Sequence, residues 1–168
     1  WEYGAVLVNK LSEDGRPSGG GGAMFWGGIM YGRCTLLIHI RGAFYRDNML
    51  APIVKGYADH FAPDLTLLDD NARPHRAGIV NRYLDDNAIR RMEWPACSPD
   101  LNCIEQAWAF LKKKIGSRAH LPETLEALIV AAMEEWDNLP QEALNMLVRS
   151  MPGRIAACIE QHGGHIRY

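Results

Sequence analysis

The stretch LLDDNARPHRA, Leu67 to Ala77, decides how the rest of the chain is read. The apolar run of DLTLLD leads into two adjacent carboxylates, Asp69 and Asp70, and Asn71, Pro74 and His75 follow at once. Successive side chains of a strand point to opposite faces, so Asp69 and Asp70 cannot serve one site while the strand continues. One of the pair is therefore expected to carry no site chemistry. Asp70 stands at the carboxyl end of the run, where open α/β sheets place their ligands. A carboxylate there suits a hard cation such as Mg2+. Asp-Asn ahead of a proline is also ordinary turn chemistry, so this stretch alone leaves both readings open.

The segments around it alternate between strand and helix signals. Upstream, Tyr45, Met49, Leu50, Ile53, Val54, Tyr57 and Phe61 recur at helical spacing. AMFWGGIMYG and CTLLIHI, separated by Gly32 and Arg33, read as a β-hairpin, with Gly27 and Gly28 marking a bulge or a close backbone approach. Before them lie a short strand at Ala5–Val8 and a turn-rich SEDGRPSGGGG. Downstream, HRAGIVNRYLDDN reads as a helix and IRRMEW as a second short strand.

Asn102 is then a candidate helix cap, with Glu105 at the third helical position and Gly116 at the end. Leu101, Ile104, Trp108, Leu111 and Ile115 form the buried stripe of that helix, with Glu105 on its margin. Two more helical segments follow: Pro122 to Asn138, with Leu125, Leu128, Ile129, Ala132, Met133 and Trp136 inward, and Pro140 to His162, broken at Pro152 and Gly153.

A chain of 168 residues with 48% apolar and 23% charged content has ordinary globular composition and the size of one domain. Its longest charge-free stretch, Pro17 to Gly32, is too short and glycine-rich to span a bilayer. The net charge of −2 gives no global attraction to nucleic acid, so DNA contacts must come from local basic clusters: Arg73/His75/Arg76, Arg90/Arg91 and Lys112/Lys113/Lys114. A Lys run at a helix end also simply complements the helix dipole. Cys34, Cys97, Cys103 and Cys158 show no CxxC spacing, which disfavours zinc and disulfide frameworks and favours a reducing intracellular setting.

DDNARPHRA followed by EWPACSPDLNCIEQAWAFLKKKI resembles the second half of the catalytic domain of Tc/mariner superfamily DDE transposases. That signature has an Asp-Asn-x-x-x-His segment, a Trp-Pro-x-x-Ser-Pro-Asp-Leu-Asn segment and a Glu shortly after. The 34 residues between Asp70 and Glu105 are the spacing of the DD-thirty-four-E branch. GGGGAMFWGGI and MPGRIAACIEQHGGHIRY extend the similarity over nearly the whole chain.

The resemblance implies a ribonuclease-H-like fold: α/β, a mixed sheet flanked by helices. It makes Asp70 and Glu105 catalytic ligands for Mg2+ or Mn2+, while Asp69 stands where Gln is common and is not a ligand. Two ions about 3.5–4 Å apart would support in-line displacement at phosphorus. Asn71, His75, Ser98, Asp100 and Asn102 match the motif and are expected to orient the ligands or shape the turns that present them. The implied partners are double-stranded DNA, as transposon terminal inverted repeats and target, and a second copy in a homodimer. No membrane partner is expected, and the location is nuclear in a eukaryote and otherwise intracellular.

Three departures from the pattern shape the expectation. No Asp on an apolar strand precedes the hairpin: Glu13-Asp14 has the reversed order and sits in a Gly/Pro-rich turn. The amino-terminal DNA-recognition domains of the family have no counterpart. Cys103 stands where Pro is usual at the helix start. The reading is therefore one partial catalytic domain over residues 1–168, with an irregular lead-in (1–22), a strand/helix core (23–115) and carboxy-terminal helices (116–168). The first strand is expected upstream of Trp1. Such a domain cleaves DNA poorly; the alternative is a non-catalytic remnant that binds DNA or protein.

Overall fold

The computed structural model describes the backbone of residues 5–12 and residues 23–40, 50–51, 53–60, 65–69, 75–95 and 97–166. Six strands form one sheet: β1 (Ala5–Ser12), β2 (Met24–Met30), β3 (Arg33–Cys34), β4 (Ile38–His39), β5 (Thr66–Asp69) and β6 (Arg90–Arg91). Their order is β3-β2-β1-β5-β6, with β4 also paired to β2. β1 runs antiparallel to β2 and parallel to β5, and β5 runs parallel to β6. The helices are α1 (Lys55–His60), α2 (Gly78–Asp86), α3 (Ile104–Gly116), α4 (Leu125–Asp137), α5 (Gln141–Arg149) and α6 (Met151–Glu160).

Both faces of the sheet are covered, and strand alternation sorts the apolar residues between them. Phe25 and Ile29 of β2 and Leu68 of β5 join the core made with α3, α4 and α5. Trp26 and Met30 of β2 and Leu67 of β5 join the second core, with Leu50, Val54, Val80 and Leu84. The close approach expected at Gly27 is to two rings. A Cβ there would sit 3.0 Å from Trp136 and 3.1 Å from Trp108, whose indoles stack with centroids 5.0 Å apart. Trp136 Nε1 also donates to the carbonyl of Thr35, at 2.8 Å. The hairpin turn closes at Gly32, whose φ of +81° suits glycine.

Several expectations need correction. The sheet's central position, expected to be filled by a strand upstream of Trp1, is taken by β1. That strand runs four residues past the predicted Ala5–Val8, because pairing with β2 carries Asn9–Ser12 as backbone whatever their polarity. α3 begins at Ile104 with Cys103 as its cap residue, so Glu105 is the second helical residue, and the Asn102 side chain caps from one position earlier, its Oδ1 accepting the Ile104 N–H at 3.4 Å. Asn102 is held by the preceding 3-10 turn, Pro99–Leu101, where its N–H donates to the Pro99 carbonyl. Pro152 opens α6 instead of breaking a longer helix; the break falls at Ser150. α4 starts at Leu125, capped by Thr124, whose Oγ1 accepts from the Ala127 N–H at 3.1 Å. Of the helix expected upstream of β5, residues 44–49, Pro52 and Phe61 lie outside the described residues.

Candidate functional site

Two corners of the fold flank the candidate ligands. The first is the end of β5. Asp69 is fully buried, on the face of the sheet that Leu67 and α2 share. Its carboxylate lies 3.2 Å from the Arg91 guanidinium and 3.5 Å from that of Arg76. Arg91 also donates to Asn81 Oδ1 at 2.7 Å and to the His75 carbonyl at 2.8 Å. An uncompensated carboxylate in such a place is strongly unfavourable, and two guanidinium groups neutralise it. The clasp ties β5 to β6 and to the segment entering α2. It uses Arg76 and Arg91, two of the expected phosphate contacts, to balance internal charge. Asp70, Asn71 and Arg73 lie outside the described residues. His75 is buried and Arg90 exposed.

The second corner is the entry to α3. The Asp100 carboxylate accepts from the Ile166 N–H at 2.8 Å and pairs with His165 Nδ1 at 3.0 Å. The Ile166 N–H first, with the His165 charge adding to it, holds the Asp100 carboxyl below its ordinary value. Arg154, only 2% exposed, donates to the Asp100 carbonyl and to Ser150 Oγ, at 2.8 and 2.9 Å, and to Gln106 Oε1. Asn102, also buried, uses its carbonyl to accept the Glu105 N–H at 3.1 Å. Ser98 is half-buried at the start of the 3-10 turn. Burial beneath this corner pushes the Cys103 thiol up to about 12, so it stays protonated at neutral pH and is a poor metal ligand.

Glu105 emerges from this scaffold half-buried in the first turn of α3, where the helix dipole favours a negative charge. Seven residues on, Lys112 returns to nearly the same face of α3, whereas Lys113 and Lys114 line a groove toward α4 and α5. Arg154 and Gln106 escaped the sequence reading. The available signal was a lone charge on a helical face otherwise made of Ser150, Met151, Ala157 and Cys158.

Among the described residues no group of three His, Cys, Asp or Glu could hold a metal ion. Asp69 is committed to arginine, so of the two expected ligands the described residues contribute Glu105 alone. Its hard oxygens suit Mg2+ or Mn2+, and any further donor must come from outside them. Among the described residues no helix is long and apolar enough to cross a membrane.

A central strand flanked by an antiparallel hairpin on one side and two parallel strands on the other is the ribonuclease-H-like arrangement. It superposes on the Mos1 mariner transposase catalytic domain with a TM-score of 0.81, at 15% identity over 98% of this chain and 85% of that one. The same domain solved with raltegravir and Mn gives 0.81 at 14% identity, covering 98% of this chain and 86% of that one. Residues 39–129 match the family described as DDE superfamily endonuclease, and the chain belongs to that family. The Tc3 transposase of Caenorhabditis elegans is 29% identical over 157 residues, 91% of this chain and 48% of that protein. The chain spans about half the length of the curated relatives it matches.

Proposed function

We propose that this chain is a single transposase catalytic domain, of a kind built for metal-dependent phosphodiester cleavage and strand transfer at transposon ends. Asp70 and Glu105 are its divalent-metal ligands. The observation that supports this best is the sheet order. β5 runs beside the central β1 and ends at Asp69, and α3, with Glu105 in its first turn, packs on β1. Asp69 is turned toward α2. Leu68, one residue earlier, joins the core made with α3, so α3 lies on the sheet face opposite to that of Asp69.

A divalent cation, when bound, supplies charge stabilisation at phosphorus. The chain's own part is to hold two carboxylates at the ends of rigid elements and to bind DNA phosphates. Arg73, Arg90 and the Lys112–Lys114 run are the phosphate-binding candidates, while Arg76 and Arg91 face Asp69. The substrate is double-stranded transposon-end and target DNA, which in a eukaryote puts the protein in the nucleus.

The sequence of β1, AVLVNKLS, contains no acidic residue. We therefore propose that this chain on its own cleaves DNA poorly. The same observation favours a second reading, a remnant that binds duplex DNA without cutting it.

Supercoiled plasmid incubated with the protein and Mg2+ or Mn2+ is expected to remain largely uncut. Robust nicking that Asp70→Ala abolishes would overturn the proposed deficiency while upholding Asp70 as a ligand. Mn2+ binding, followed by the loss of free-ion EPR signal, is expected to weaken in Asp70→Ala and in Glu105→Ala. Binding unchanged in both rules out the metal-site reading. Duplex binding that persists in EDTA supports the remnant.

A further inference from the structure

We propose that the groove between the end of α3, the end of α4 and the start of α5 receives the acidic outer stripe of α4 from a second copy of this chain. The groove has a volume of about 560 Å3 and a floor of Phe110, Leu139, Pro140 and Ala143, with Lys113 and Lys114 on its rim. Phe110, although part of this apolar floor, is 40% exposed. The third rim cation, Arg118, is already neutralised by Glu134 and Glu135, at 2.8 and 2.7 Å. Among the described residues neither Lys113 nor Lys114 has an ion-pair partner, so the groove pairs an apolar floor with two uncompensated positive charges. Phosphate would leave the floor in water. The ligand that satisfies both parts is an amphipathic surface carrying carboxylates.

The chain carries such a surface itself. Glu126, Val130, Met133 and Asp137 fall within about 60° of one another around α4. All four are exposed, Val130 by 54% and Met133 by 39%. Glu126 and Asp137 have no ion-pair partner among the described residues. An exposed apolar pair bracketed by two unpaired carboxylates complements, in charge and in character, a floor bracketed by two unpaired lysines.

The stripe and the groove cannot meet within one molecule. Glu135, which lines the groove, lies about 140° around the helix from Val130. For the same reason one partner cannot occupy both surfaces at once about a two-fold axis. The contact is therefore head-to-tail and continues from copy to copy.

Sedimentation equilibrium of the full chain between roughly 10 µM and 1 mM, the range of small contacts, tests this. The wild type is expected to show an average mass that rises with concentration beyond that of a dimer. Lys113→Glu/Lys114→Glu and Glu126→Lys/Asp137→Lys should each weaken association by about tenfold or more. An equimolar mixture of the two should restore it, because each variant's groove then matches the other's stripe. Circular dichroism confirms that both variants are folded. A wild type that remains monomeric throughout overturns the proposal. So does association that either double variant retains alone, or a mixture that fails to recover it.

Discussion

The two corners that lead toward Asp70 and Glu105 are stabilised in different ways. At the end of β5 a buried carboxylate is balanced by two half-buried guanidinium groups. At the entry to α3 the carboxylate of Asp100 faces a backbone N–H and an exposed imidazole, and the buried charge belongs to Arg154. The first corner is therefore all-or-none, because removing either sign leaves the other stranded. The second is a mesh of hydrogen bonds to backbone and side chains, and loses strength piece by piece. Each corner fixes one candidate ligand's neighbourhood, so the two ligands should respond differently to the same kind of damage.

The largest effect is expected at the first corner. Arg91→Ala removes the nearer of the two guanidinium groups and keeps Arg76, at 3.5 Å, and should cost about 3 kcal/mol in urea unfolding. Asp69→Leu combined with Arg91→Met should restore most of that loss. If the double variant is as unstable as the single one, the all-or-none description fails. Next comes Arg154→Met, which removes three hydrogen bonds and strands the Gln106 amide and the Asp100 carbonyl, for about 2 kcal/mol.

Asp100→Asn is expected to cost about 1 kcal/mol at neutral pH. The folded-state carboxyl titrates below its ordinary value of 3.8, so its contribution is complete above that pH and is lost as the pH falls through the lower folded value. The variant's acid-unfolding curve should therefore be flatter below pH 4; identical slopes would mean that Ile166 and His165 contribute nothing. The last measurement leaves stability untouched. At pH 8 iodoacetamide should modify exposed Cys97 on the order of 1,000-fold faster than Cys103, whose thiol is held near 12. Comparable rates would show that the second corner opens freely.

Much of this was legible beforehand where local chemistry and burial agree. Alternation along DLTLLDD separates Asp69 from Asp70, the family resemblance marks Asp69 as the non-ligand, and Asp69 is turned into the protein. β2, α2, α3 and the Gly27 contact fall where apolar spacing and glycine put them. Partners distant in sequence decided the rest. β1 extends through Asn9 and Lys10 because its neighbours supply the pairing, which side-chain polarity does not report. Leu125 and Met133 fit the inward pattern of α4 yet are each 39% exposed. Arg154 reads as a surface charge until Asp100, 54 positions earlier, comes to meet it. Of the candidate site, Asp70 and Glu105 were proposed by motif. The arginine clasp was not, because nothing local in Arg76 or Arg91 reveals a buried acid between them.

The stacked indoles of Trp108 and Trp136 above Gly27 also make the protein its own spectroscopic gauge. Rings 5.0 Å apart at 29° in a rigid, chiral setting couple their electronic transitions, and the resulting near-ultraviolet ellipticity depends on α3 and α4 remaining seated on β2. Any variant at either corner can thus be sorted, without a label, into those that perturb only their own surroundings and those that loosen the helical layer as a whole.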